Sequence, residues 1–255
     1  MDCSRNHIGN TMMNNTQLSK LRIANRYWLQ ALALTDPKYY KVLKAINIME
    51  RYHTGFRKDG TTPTIIHQYS ILSKLKTLHA YMIDPALVFI VALLHDTYED
   101  YPESAAELER EFPEAFPYIV RISKVRNGVK INYEQYFDEM QNCPVCSLVK
   151  LVDRIHNVST MVGVFKVEKQ MKYLEEVNRW FLPMLKYARR LFPEQELAYE
   201  NLKSTLLIQR DTIIAVRNEF EVKVSVDLES INNDKPHCGL KIDQHCDTPD
   251  YELGA

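Results

Sequence analysis

Glycine is scarce in this sequence, which contains seven glycines among 255 residues. Globular proteins average about 7% glycine, so a turn-rich all-β fold or a glycine-rich phosphate loop is poorly supported. Long apolar runs are missing as well. The longest uninterrupted run, 86–94, has nine residues, whereas a membrane-spanning helix needs about 20. The two absences favour a mostly helical protein that has no membrane partner.

An excess of either charge sign is also absent, because 32 Lys and Arg residues are balanced by 33 Asp and Glu residues. A protein dedicated to nucleic acid needs a basic surplus to neutralise phosphates, so no nucleic-acid partner is expected. A local basic pocket for a small phosphorylated ligand is compatible with this balance. The composition leaves the oligomeric state open, a homo-oligomer included.

Cysteines are few, and the five that occur do not make a disulfide scaffold in a chain of this length. The N-terminal residues are polar and lack the apolar segment of a secretory signal peptide. We therefore expect a reducing compartment, most simply the cytoplasm. Cys143 and Cys146 have the CxxC spacing of zinc and redox sites, but one such pair leaves its role open.

The spacing of apolar residues predicts an all-α fold. Helices are expected at about 17–35, 37–53, 64–81, 85–99, 103–111, 115–126, 132–141, 145–162, 167–191 and 194–219. Between 219 and 228, apolar and polar residues alternate with period two, which predicts a short β segment. The expected organisation is a flexible N-terminus at 1–16, a helical domain at 17–218, and an extended segment with a flexible C-terminal tail at 219–255.

The helix expected at 85–99 is apolar up to Leu94 and then ends in His95, Asp96, Glu99 and Asp100. Residues four apart lie one helical turn apart, so these ionisable groups share one flank. Three carboxylates and an imidazole at the end of a buried helix would repel one another or lose solvation without a cation among them. A divalent metal is the economical explanation.

Two further features of the sequence could supply ligands to the same metal. Lys150, Asp153 and Asn157 form a polar stripe at spacing i, i+3, i+7 along the helix expected at 145–162, and His67 begins another helix. An Asp in the middle of a helix is intrinsically disfavoured and therefore needs a partner. Together with His95 and the Asp that follows it, these residues supply two imidazoles and two carboxylates. Such ligands suit Mn²⁺, Fe²⁺ or Zn²⁺ better than Ca²⁺.

Each feature also has an ordinary structural interpretation. A lone histidine such as His67 is more often a core or surface residue, and acidic groups at helix ends are usually solvated. Lys150 and Asp153 could form a simple intrahelical ion pair. Neither interpretation explains why His95 and Asp96 directly follow the most apolar run of the chain.

Three segments resemble motifs of the hydrolase domain of RelA/SpoT-type proteins, which belong to the HD-domain metal-dependent phosphohydrolases. They are ALLHDTYED at 92–100, LVKLVDRIHN at 148–157 and FRKDGTTPTIIH at 56–67. The resemblance extends over about 38–190 and implies an HD-domain helical bundle. It implies hydrolysis of the 3′-diphosphate of ppGpp or pppGpp, giving GDP or GTP and pyrophosphate. The short chain resembles a small alarmone hydrolase, since it has no room for the synthetase domain of longer relatives.

The resemblance also implies a role for each matching residue. The metal ligands would be His67, His95, Asp96 and Asp153, usually around one Mn²⁺, although other divalent metals stay open. The catalytic acidic pair would be Glu99 and Asp100. The substrate-binding residues would be Arg57, Lys58, Lys150, Asn157, Lys166 and Lys169, the last two near the 5′ phosphates.

The sequence departs from the family pattern at three positions. Gln68 replaces a Pro, Thr64 stands where Tyr is common, and Val152 replaces a small Ala. These residues flank the expected pocket, so the departures bear on nucleotide preference. One alternative is therefore a phosphohydrolase acting on another 2′- or 3′-phosphorylated nucleotide such as NADPH. A further alternative is a non-catalytic protein that binds an alarmone.

Overall fold

The computed structural model describes residues 3–126 and 128–233, with side chains for 15–126 and 128–218. The prediction of an all-α fold is confirmed. The α-helices are α1 (Cys3–Thr35), α2 (Tyr39–Tyr52), α3 (Ile65–Lys76), α4 (Pro85–Leu94), α5 (Thr97–Asp100), α6 (Ala105–Glu111), α7 (Phe116–Ile122), α8 (Tyr133–Gln141), α9 (Pro144–Thr160), α10 (Val167–Glu176), α11 (Leu182–Leu191) and α12 (Glu196–Asn233). Two short antiparallel strands, β1 (Val125–Arg126) and β2 (Val129–Lys130), form a hairpin after α7.

The short β segment predicted at 219–228 is wrong in its position, because these residues continue α12. In the described ranges, β1 and β2 pair only with each other. An isolated strand would leave its backbone groups unpaired, whereas a helix satisfies them internally. Residues 3–16 belong to α1, and the flexibility expected of the N-terminus stays a prediction. The tail predicted beyond 233 lies outside the described residues.

The chain divides into two compact units, Met1–Asp211 and Thr212–Ala255. The first unit holds every residue named below in connection with the candidate site. In the second unit, the described backbone is the distal part of α12, up to Asn233. The domain boundaries predicted at 17 and 218 stay predictions. Within the described residues, no helix is long and apolar enough to cross a membrane.

Helix α4 is the centre of the first unit. Its apolar residues from Val88 to Leu94 are buried, and it packs against α2, α3 and α9. Asp84 caps its N-terminus, since the carboxylate accepts a hydrogen bond from the Leu87 amide at 3.1 Å. Pro85 suits the first helical position because the missing N–H would have no helical partner. His95, which directly follows this apolar helix, is buried as well.

Truncation of the α4 core is expected to destabilise the protein strongly. Leu93→Ala should lower the free energy of unfolding by about 2–5 kcal/mol, because the side chain is fully buried and leaves a cavity. Urea unfolding followed by circular dichroism measures the change. The matched control is Leu34→Ala, which removes the same atoms from a side chain that is 82% exposed. The core assignment is incorrect if both variants lose equal stability.

Candidate metal centre and its cavity

Three elements bring the four predicted metal ligands together. His67 lies on α3, His95 and Asp96 lie between α4 and α5, and Asp153 lies on α9. Nε2 of His95 is 3.1 Å from Oδ1 of Asp96 and 3.8 Å from Oδ1 of Asp153. Nε2 of His67 is 3.3 Å from Oδ1 of Asp153 and 3.6 Å from Oδ2 of Asp96. Nε2 of each imidazole thus lies near both carboxylates, and the ligand atoms of His67, His95 and Asp96 all lie within 4.8 Å of one another.

The orientation of His95 fits cation binding. Its Nδ1 is 2.7 Å from the carbonyl oxygen of Ala92 and donates to it, so Nε2 faces the carboxylates. Nε2 is buried and has no hydrogen-bond partner among the described residues. A metal-binding histidine commonly donates its second ring N–H to a carbonyl in this way. The donor set, two imidazoles and two carboxylates, fits a divalent transition metal.

The charges of the cluster also favour a cation. Burial acts to lower the pKa of His95, but the Asp96 and Asp153 carboxylates raise it to about 10. Burial would raise the pKa of Asp96, and the His95 imidazole nevertheless holds it below its ordinary value. The carboxylates thus stay ionised and draw positive charge to Nε2 of His95. A proton and a metal ion compete for that nitrogen, which makes metal affinity pH-dependent.

Asp153 is held on both of its oxygens. Nζ of Lys150 is 2.9 Å from Oδ2, and Nδ2 of Asn157 donates to Oδ1 at 2.6 Å. Despite burial, the Lys150 ammonium keeps the pKa of Asp153 well below its usual range. Oδ2 is therefore paired with the ammonium, while Oδ1 faces the imidazoles. Arg57 extends this network, since Nη2 donates to Oδ1 of Asn157 at 3.1 Å.

Glu99 and Asp100, the acidic pair predicted to be catalytic, have different surroundings. Oε2 of Glu99 accepts hydrogen bonds from Oγ of Ser123 at 3.0 Å and from the Lys124 amide at 2.8 Å. Glu99 therefore anchors the turn between α7 and β1. No described residue anchors Asp100 in this way, and partial loss of water together with the Asp96 and Glu99 carboxylates raises its pKa to about 6. Asp100 can thus exchange a proton near neutral pH.

A cavity of about 750 Å³ opens over the cluster. Its volume is in the range of small-molecule sites. The cationic side chains that line it are Arg57, Lys58, Lys124, Lys150 and Arg154. The described lining does not include Lys166 or Lys169. Lys169 lies beside the cavity, where its Nζ is 3.8 Å from the centroid of the Phe165 ring, and Lys166 precedes α10.

Two of these cations, Lys124 and Arg154, were not predicted from the sequence. Burial, with Lys150 and Arg154 nearby, lowers the pKa of Lys124 to about 8. Arg154 is paired with Glu176, Nη2 to Oε2 at 2.7 Å, and its guanidinium lies 4.4 Å from the centroid of the Tyr173 ring. Arg154 could have been found from its position directly after Asp153. Lys124 follows α7 in a segment without any motif, and no signal marked it.

Two further polar residues contact the candidate ligands. His156, which the sequence analysis also missed, lies with its Nδ1 2.8 Å from Nδ1 of His67. Nε2 of Gln68 donates a hydrogen bond to Oδ2 of Asp96 at 3.4 Å. The substitution of Gln for Pro at this position therefore places an amide beside the cluster. Cys143 and Cys146 are buried at the start of α9 and do not belong to the described lining of the cavity.

Comparison with known proteins finds relatives with two names. A GTP pyrophosphokinase of Streptomyces coelicolor is 30% identical over 151 residues, which cover 56% of this chain and 17% of that protein. A guanosine-3′,5′-bis(diphosphate) 3′-pyrophosphohydrolase of Aquifex aeolicus is 29% identical over 150 residues, 56% of this chain and 21% of that protein. A Haemophilus influenzae protein with the second name is 28% identical over 141 residues, 52% of this chain and 20% of that protein.

The matched segment covers only part of this chain and only part of each relative. No family model matches the chain, and the matched segment spans about a fifth of these relatives. Their names describe enzymes that act on guanosine nucleotides, one as a kinase and the other as a hydrolase. The chain is therefore similar to enzymes of guanosine nucleotides, and the reaction itself has to be argued from the site.

Proposed function

We propose that this chain is a metal-dependent phosphohydrolase that removes the 3′-diphosphate of ppGpp or pppGpp. Water would displace the 3′ oxygen at phosphorus, releasing pyrophosphate and GDP or GTP. The observation that carries the proposal is the convergence of His67, His95, Asp96 and Asp153 beneath a cavity lined with cations. Two of the similar proteins bear the name of this reaction.

The four ligands would hold one divalent cation, for which we propose Mn²⁺. When bound, such a cation acidifies water and polarises phosphoryl oxygens. The protein contributes the geometry. Lys150 and Asn157 fix Asp153, and the Ala92 carbonyl fixes His95. The candidate ligands are thereby oriented before substrate binds, which reduces the cost of reorganisation in the reaction.

Asp100 is the proposed general base or proton shuttle. Its pKa of about 6 leaves it mostly ionised at neutral pH, and the carboxylate can then accept a proton. Asp100 and Glu99 both line the cavity. Glu99 has a positioning role in this proposal, because Ser123 and the Lys124 amide already occupy one of its oxygens.

The cavity wall suits a polyanionic nucleotide with a planar base. Lys124, Lys150 and Arg154 supply positive charge within the cavity. Arg57 and the ring of Phe165 lie on its lining and offer flat surfaces on which a purine can stack. We propose that Arg57 and Lys58 contact the base, and that Lys166 and Lys169 contribute charge toward the 5′ phosphates. As implied by the resemblance, Asn157 contacts the nucleotide.

The pyrophosphokinase name of another relative favours one second candidate, synthesis of the alarmone from GTP and ATP. Assays of the purified protein with several nucleotides separate hydrolysis of the alarmone from its synthesis. One of these nucleotides carries a 2′-phosphate. The full chain is incubated with Mn²⁺ and either ppGpp, pppGpp, NADPH, or GTP with ATP. The proposal predicts turnover of ppGpp and pppGpp. If NADPH alone is turned over, the protein is a phosphohydrolase with a different substrate. Formation of ppGpp from GTP and ATP contradicts the proposal.

A further inference from the structure

His156 packs against His67 on the edge opposite the candidate metal ligands. Nε2 of His67 faces Asp153 and Asp96, while Nδ1 is 2.8 Å from Nδ1 of His156. The two ring planes are inclined at 66°, with centroids 4.7 Å apart. His67 is 4% exposed, so bulk water cannot replace His156 as the partner of Nδ1.

The direction of this hydrogen bond follows from the chemistry of the imidazole. A histidine that binds a cation through Nε2 carries its proton on Nδ1. His67 must then donate from Nδ1, and Nδ1 of His156 must accept. As the acceptor, Nδ1 of His156 carries a lone pair and no proton.

The two candidate ligand histidines therefore depend on different partners. Nδ1 of His95 donates to a backbone carbonyl, that of Ala92, at 2.7 Å. His67 relies on a side chain from α9, the helix that also carries Asp153. A backbone partner cannot be removed by substitution, but a side-chain partner can. This difference makes the contribution of His156 measurable.

We infer that His156 is a positioning residue that fixes the tautomer and ring orientation of His67 for binding of a divalent cation. The role presupposes the cation site of the proposed function. It adds a residue that neither composition nor the ligand pattern indicated. Residues that orient a metal ligand in this manner change metal affinity by about 10–100-fold when they are replaced.

A matched pair of variants tests this role in the full chain without nucleotide. In His156→Asn, the amide oxygen can take the place of Nδ1 and accept the hydrogen bond, whereas His156→Leu puts a methyl group there. Mn²⁺ binding is measured by calorimetry, and circular dichroism checks that both variants fold. We expect His156→Leu to weaken Mn²⁺ binding by about 10–100-fold and His156→Asn to retain most of the affinity.

The outcomes separate this role from the proposed function. Wild-type affinity in His156→Leu overturns the role of His156, as does an equal loss in both variants, which indicates packing alone. If the wild-type protein binds no Mn²⁺, the cation site itself fails and the proposed function fails with it. Imidazole ¹⁵N NMR of the Zn²⁺-loaded wild-type protein gives a second readout. We expect the proton of His67 on Nδ1, and a proton on Nε2 overturns the inference.

Discussion

Replacement of Asp153 by Asn together with Lys150 by Met is expected to remove Mn²⁺ binding while the chain stays folded. Oδ1 of Asp153 faces both imidazoles as part of a carboxylate, and Asn replaces this anion by a neutral amide, so Mn²⁺ binding should weaken by at least about 100-fold. The double variant is needed because Lys150 is buried against Asp153. Asp153→Ala alone would leave that ammonium unpaired, at a cost of about 3–5 kcal/mol.

Two controls accompany this measurement. Lys150→Met alone should still bind Mn²⁺, because the Asp153 carboxylate remains, but by up to about 100-fold more weakly, because the ammonium that orients it is lost. Asp138→Asn removes an exposed carboxylate on α8 and should bind Mn²⁺ like the wild type. Calorimetric titration gives the affinities. Unchanged Mn²⁺ affinity in a folded double variant would exclude Asp153 as a ligand.

The second large effect is expected for Asp100→Asn. This variant should lose about 10²–10⁴-fold in kcat, because an amide cannot accept the proton, while Mn²⁺ affinity is retained. In the wild type, kcat/KM should fall as the pH drops through about 6, since Asp100 is then protonated. A cation beside Asp96 lowers this pKa, so the midpoint measured with Mn²⁺ should lie at or below that value.

The pH profile distinguishes a base from a structural carboxylate. The fall in kcat/KM below about pH 6, which is the acidic limb of the profile, should be absent from the residual activity of Asp100→Asn. Glu103→Gln changes an exposed carboxylate close in sequence, and it should keep both the rate and the limb. An Asp100→Asn variant that retains wild-type kcat assigns proton transfer to another group.

Much of the fold and of the candidate site could be predicted because local signals carried them. Helical periodicity located α2 and α9 to within a few residues, whereas the helix predicted at 85–99 ends at Leu94 and is followed by α5. The change from apolar to ionisable residues at His95 indicated the position of the site beneath the cavity, since ionisable groups are costly at the end of a buried helix. The structure places these residues together with His67 and Asp153, although their roles as ligands stay predictions.

Other features depended on tertiary structure, among them the contact of His156, which lies within the motif at 148–157 but was not singled out there. His156 is 89 positions from His67, and only the packing of α3 on α9 brings them into contact. Lys124 reaches the cavity because α7 ends early and a hairpin follows. The alternation at 219–228 was typical of a strand, but β propensity depends on having a neighbouring strand. These residues instead continue α12.

The most direct test of the central claim is product analysis with ppGpp. The purified full chain is incubated with ppGpp, with and without Mn²⁺, and the products are separated and quantified. The account predicts equal amounts of GDP and pyrophosphate, formed only when Mn²⁺ is present and not formed by the Asp153→Asn, Lys150→Met double variant. Intact ppGpp in the presence of bound Mn²⁺, or orthophosphate as the first product, would contradict it.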